Sequence, residues 1–271
     1  MLRKDKLKLG RWRKLHRLEQ LRPDTPQQLH HFVKVVLGLC VPICPIVEGN
    51  NAPFDYLRHT FFEGHQHGHG DVIVWASRTG GKTLLGAVAT LLDMLFKPGI
   101  QARILGGSLE QSSRMYQYFK ELAERPMLGG IQLHPPTQRQ MRWINGSLAS
   151  VMTQSHRSVR GAHVHKLRCD EMELFNPDIW QAAQMITQSD KCGHVMVQGS
   201  VEALSTMHET YGMMSRLVHP QLAERQVRVL RWCALDVVER CEPSRSCQGC
   251  VLWKDCLGRV RKADGTCALT I

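Results

Sequence analysis

DVIVWASRTGGKTLLGA, residues 71–87, decides the fold. It opens as a short apolar run, as expected for a strand covered on both faces. It closes as a helix, with Leu84, Leu85 and later Leu92 at helical spacing. Between them, Ala76-Ser77-Arg78-Thr79-Gly80-Gly81-Lys82-Thr83 matches G-x-x-x-x-G-K-[ST] at every defined position but the first, where Ala replaces Gly. Backbone N–H groups of such a loop, together with the helix N-terminus behind it, point at phosphate oxygens. Gly80 and Gly81 permit the close approach. Lys82 is expected between the β- and γ-phosphates of ATP, and the Thr83 hydroxyl on Mg²⁺.

A phosphate loop needs acids on a nearby strand end. VHKLRCDEMELF, residues 164–175, supplies them. Val164, Leu167 and Cys169 mark a strand, and Asp170-Glu171 fall at its C-terminal end, where ligands bind in open α/β sheets. Asp170 is assigned to Mg²⁺ through water and Glu171 to the general base, with Glu173 a distant second.

Outward from these motifs the pattern alternates. Strands are expected at 71–76, 102–106, 148–153, 164–169, 194–199 and 227–234, and helices at 82–96, 109–124 and about 207–218. The result is an α/β fold, a mostly parallel sheet flanked by helices. Room for further strands between Thr83 and Asp170 fits the phosphate-loop NTPases that place an additional strand between the motif strands and use a catalytic Glu. Residues 1–50 read as a basic helical lead-in, 51–237 as the nucleotide-binding domain, and 238–271 as a small Cys-rich segment.

The chain has 271 residues and a net charge of +11, which favours a polyanionic partner. Eight Lys or Arg face one acid in residues 1–17, a solvated head or an arm for DNA phosphates. No apolar run spans a bilayer, and no secretory signal is expected. Ten cysteines without such a signal point to a reducing compartment. Cys241, Cys247, Cys250 and Cys256 follow C-x₅-C-x₂-C-x₅-C, a spacing that can close around Zn²⁺ or an iron–sulfur cluster. His59, His65, His67 and His69 read as a solvated Gly-His turn rather than a metal site.

Arg78 inside the loop places a rigid cation beside the γ-phosphate, where phosphoryl transfer develops charge. With the doubled glycine, it resembles the ATPase domain of phage terminase large subunits. Residues 103–119 resemble the strand, Gly-Gly-Ser turn and helix that follow in some of these proteins. Residues 144–171 resemble their approach to the acidic motif. HVMVQGSVEA (194–203) resembles the strand that couples hydrolysis to movement, and the resemblance puts Gly199 and Ser200 in that coupling role. It further implies an ATP hydrolase that moves double-stranded DNA into a procapsid, working as a homo-oligomeric ring with a portal protein and a small terminase subunit. Its place would be the host cytoplasm and the portal vertex, with no membrane. Arg157 and Arg160 are the candidates for a residue lent to a neighbour's site. The family's nuclease half has no counterpart in these residues, so nuclease activity is not expected from them. A helicase-like ATPase and a non-catalytic DNA-binding remnant are the alternatives.

Overall fold

The computed structural model describes residues 2–62, 70–154, 164–219 and 227–262. The helices are α1 (Leu2–Glu19), α2 (Pro26–Val36), α3 (Pro53–Phe61), α4 (Lys82–Phe96), α5 (Leu109–Ala123), α6 (Pro177–Ala183), α7 (Met213–Val218) and α8 (Trp253–Cys256). The strands are β1 (Val72–Ala76), β2 (Gln101–Gly106), β3 (Gln140–Arg142), β4 (Leu148–Met152), β5 (Lys166–Asp170), β6 (Asp190–Cys192), β7 (Val195–Val197), β8 (Ser200–Ser205) and β9 (Arg228–Trp232). Seven strands form one sheet in the order β3-β4-β2-β5-β8-β1-β9. Only the edge pair β3–β4 is antiparallel. The α/β class read from the sequence is therefore the observed one. β8 lies between β1 and β5, so the phosphate-loop strand and the acid-bearing strand share an intervening neighbour.

The basic lead-in docks. Leu15 and Leu18 of α1, and Leu29, Phe32 and Val33 of α2, join the main core with β1, α4 and α5. α2 starts on a capping box between Thr25 and Gln28. Two of the basic residues fasten α1 to the chain beyond α5. Lys14 donates to the carbonyls of Gly129 (2.6 Å) and Pro126 (3.1 Å), and Arg11 to that of Gly130 (2.7 Å). At the other end, buried Asp236 accepts from the N–H groups of Ile46, Val47 and Cys233 and from the Asn50 amide. That carboxylate ties the end of the lead-in to the chain after β9.

One strand lies elsewhere than its pattern suggests. Residues 195–197 pair only with 190–192, in a small hairpin outside the main sheet. The sheet strand is β8, Ser200–Ser205, buried along its whole length although it carries Glu202. A carboxylate in a central strand weakens the apolar signal, and the expected strand at 194–199 stops short of it.

That carboxylate is paired. On β5, Lys166, Arg168 and Asp170 point to the face opposite Leu167 and Cys169. Arg168 is fully buried and donates to both Glu202 oxygens (3.0 and 3.1 Å), to Thr90 (3.2 Å) and to Asp93 of α4. Lys97 closes on Asp93 at 2.6 Å, and the Tyr56 hydroxyl donates to Glu202 at 2.6 Å. Burial opposes the Arg168 charge, but Glu202 and Asp93 outweigh it and raise its pKa. Burial also pushes Asp93 up, yet Lys97 and Arg168 prevail and hold it at about 2.

Candidate active site

The phosphate loop leaves the C-terminal end of β1 and enters α4 at Gly81, whose φ of 76° lies in the left-handed region open to glycine. At Gly80 a Cβ would stand 2.9 Å from the Ser77 carbonyl, closer than the loop permits. Trp232, at the end of β9, lies beneath and donates from Nε1 to the Gly80 carbonyl at 2.7 Å. Thr79 holds a left-handed φ of 60° at the exposed tip beside Arg78. Lys82 is buried at the base of the loop. Its Nζ donates to the carbonyls of Ala76 (3.2 Å) and Ser77 (2.9 Å) and to the Thr206 hydroxyl (2.8 Å). Burial lowers its pKa and Arg78 adds to this, while Glu171 and Asp170 oppose them.

The acids arrive from β5. The Thr83 hydroxyl donates to Asp170 at 3.0 Å, so the first turn of α4 and the end of β5 meet directly. Burial raises Asp170 to about 7, against the Thr83 hydrogen bond that lowers it. Glu171 follows with φ 52° and ψ 50°, a strained left-handed conformation for a non-glycine residue. Its N–H donates to the Leu204 carbonyl at 2.8 Å, which fixes the turn against β8. Its Oε2 is buried with no hydrogen-bond partner among the described residues, as is the Ser77 hydroxyl within the loop.

The structure thus brings Ala76, Ser77, Arg78, Thr79, Gly80, Gly81, Lys82, Thr83, Asp170 and Glu171 to one mouth of the sheet. These groups fit a magnesium–nucleotide. Two buried polar atoms lack partners, one ammonium sits among carbonyls, and an adjacent hydroxyl and carboxylate offer the oxygen ligands Mg²⁺ prefers.

Gly199 and Ser200 are not part of it. Ser200 opens β8, and at that end of the strand its side chain accepts from Lys166 at 3.0 Å. The register pairs Trp75, next to the phosphate loop, with Ser205. The end of β8 that reaches the site is therefore Ser205, followed by Thr206. Placing the strand six residues early moves the expected polar pair to the wrong edge of the sheet. Glu173 is engaged elsewhere, since its Oε2 accepts from the Met214 N–H at 2.6 Å. Trp232, Thr206 and His208 are absent from the residues singled out by sequence. A Ser-Thr pair ending a buried strand is the available signal for Thr206, whereas nothing local marks Trp232.

The metal expected at the cysteines has no assembled site among the described residues. Cys241, Cys247, Cys250 and Cys256 line one cavity of about 20 Å³. Among the described residues, however, no three Cys, His, Asp or Glu side chains are arranged to hold an ion. Cys256 is buried with Leu235 and Val260 and accepts from the Val260 N–H at 3.4 Å, and Cys241 packs against the same cluster. Both thiols thus pack within an apolar cluster. His59 is buried on the Gly70 carbonyl at 3.1 Å, while His65, His67, His69, Arg157 and Arg160 lie outside the described residues. Among the described residues no helix is long and apolar enough to cross a membrane.

Strand order and loop together define a phosphate-loop NTPase fold of the additional-strand type. The particular likeness is to phage large terminases. The fold matches the HK97 bacteriophage large terminase with a TM-score of 0.53 over 78% of this chain and 44% of that one, at 15% identity. Also matched are the Thermus phage P74-26 large terminase ATPase domain (TM-score 0.46, 13% identity, 66% of this chain and 83% of that one) and the large terminase of a thermophilic bacteriophage (TM-score 0.45, 10% identity, 66% and 44%). No protein-family model matches the chain, and no curated protein does. At such identities the likeness to the HK97 protein establishes a shared fold, and the chain spans less than half of that protein's length.

Proposed function

We propose that this chain is the ATP-hydrolysing part of a phage DNA-packaging motor, driving double-stranded DNA into a procapsid. The observation that carries the reading is the Thr83–Asp170 contact at 3.0 Å beside a buried, unbonded Glu171 oxygen. The fold shared with the HK97 large terminase supports it.

Loop N–H groups and the N-terminus of α4 bind the phosphates. Lys82 exchanges the Thr206 hydroxyl for a phosphate oxygen, and Arg78, in the same loop, shares the developing charge. Mg²⁺, held by Thr83 and through water by Asp170, would supply charge neutralisation at the β- and γ-phosphates. Glu171 accepts the proton of the attacking water. Ser205 and Thr206 take the coupling role, because Thr206 already touches Lys82 and Ser205 accepts from the Glu173 N–H at 3.1 Å. By the same likeness the working form is a homo-oligomeric ring, docked on a portal protein and served by a small terminase subunit.

Steady-state ATP hydrolysis with Mg²⁺, with and without duplex DNA, tests the reading. Wild type is expected to hydrolyse ATP, with Lys82→Ala and Glu171→Gln each slower by at least about 100-fold. Hydrolysis unchanged in both variants would refute it.

A further inference from the structure

Glu171 presents a buried oxygen without a hydrogen bond, and one side chain stands ready for it. His208 Nε2 lies 3.7 Å from Glu171 Oε2, with both side chains about a quarter exposed, at 29% and 25%. That separation is within ion-pair reach and needs less than about 1 Å to become a hydrogen bond. No other ion pair to Glu171 forms among the described residues. The placement follows from the fold. β8 ends at Ser205, and the chain then runs over the mouth of the site. Within four residues it meets three elements of the machinery. Ser205 accepts from the Glu173 N–H, Thr206 accepts from Lys82, and His208 faces Glu171. The carboxylate itself springs from a left-handed backbone turn, which fixes its root and leaves its tip to be aimed by a neighbour.

We propose that His208 is the positioning residue for the base: a ring N–H donates to Glu171 Oε2 and holds the other oxygen toward the attacking water. This inference rests on Glu171 being the base, as proposed above. An unaimed carboxylate still binds nothing of the nucleotide, so the loss falls on turnover and spares affinity.

The test compares His208→Ala and His208→Gln in the full chain. It measures kcat and KM for ATP with Mg²⁺, the affinity for a fluorescent ATP analogue, and the melting temperature. For His208→Ala, kcat is expected to fall about 10- to 100-fold, with KM, analogue affinity and melting temperature unchanged. His208→Gln, which keeps a donor, restores most of the rate. In a Glu171→Gln background, His208→Ala costs nothing further. If Glu171→Gln abolishes hydrolysis while His208→Ala keeps kcat within twofold, the inference is overturned and the base assignment stands. If His208→Ala acts on KM or on melting instead, the positioning role is likewise overturned. Wild-type turnover in Glu171→Gln overturns the base assignment itself.

Discussion

Two clusters of charge share strand β5, and they differ in one respect. At its middle, Arg168 is surrounded by Glu202, Asp93 and Thr90, with Lys97 completing the set. At its end, Asp170 accepts from the Thr83 hydroxyl, and Glu171 has a buried oxygen with no hydrogen bond among the described residues. The first cluster is closed by the protein's own side chains. Such a network holds layers in register and is costly to break, because each removal leaves a buried charge behind. The second, beside Lys82, leaves donor and acceptor capacity open, so it can take a partner that fills it. Both clusters are buried and ionic, and only the degree of internal pairing separates scaffold from site.

The largest expected effect comes from breaking the closed cluster. Arg168→Ala leaves Glu202 without its cation and Asp93 with Lys97 alone, and should cost about 3–5 kcal/mol, read as a lowered midpoint in a denaturant titration. A well-folded Arg168→Ala with wild-type stability would erase the distinction.

The two acids also predict opposite pH behaviour. Asp93 titrates near 2 in the fold and near 3.8 when free, so its contribution is present above about pH 4 and lost as pH falls through about 2. Asp170 titrates near 7 in the fold and near 3.8 when free. The folded chain keeps a proton that the unfolded chain has released. Its contribution is therefore present below about pH 4 and lost as pH rises through about 7. Asp170→Asn should flatten the stability of the nucleotide-free chain between pH 4 and 7 and raise it at pH 8, by about 1–2 kcal/mol. Thermal melts across that range check the sign. A stability that rises with pH between 4 and 7 in wild type and is unaffected by the substitution would contradict it.

A smaller effect belongs to the floor of the loop. Trp232→Phe removes the donor to the Gly80 carbonyl at nearly constant packing. It should cost about 1 kcal/mol of stability and loosen nucleotide binding a few-fold, readable as a rise in Kd for a fluorescent ATP analogue.

Much of this arrangement is legible in the residues. The phosphate loop and the Asp170-Glu171 pair stand at strand ends, where short motifs carry their own local geometry. Strands β1, β2 and β4 are visible as mostly apolar runs, and β5 by Val164, Leu167 and Cys169 among charged residues. The reading fails where a long-range pair overrides a local pattern. β8 hides Glu202 because Arg168, 34 residues earlier, neutralises it, and so the polar strand end facing the loop is expected at Ser200 instead of at Ser205 and Thr206. The basic head looks solvent-borne because the carbonyls that receive Arg11 and Lys14 lie more than a hundred residues away. The cysteine spacing suits a metal, while the packing of Cys241 and Cys256 follows the apolar cluster around Leu235 and Val260. Trp232 and His208 act through contacts that no sequence window contains.

The central claim is that Lys82, Thr83, Asp170 and Glu171 form a single seat for a magnesium–nucleotide. A crystal structure of the chain with Mn²⁺ and a non-hydrolysable ATP analogue, read by anomalous scattering, tests it most directly. The expected result is one Mn²⁺ bound to the Thr83 hydroxyl and bridged by water to Asp170, with Lys82 released from Thr206 onto the γ-phosphate. Nucleotide bound away from the loop, or Mn²⁺ with no path to Asp170, would contradict the account.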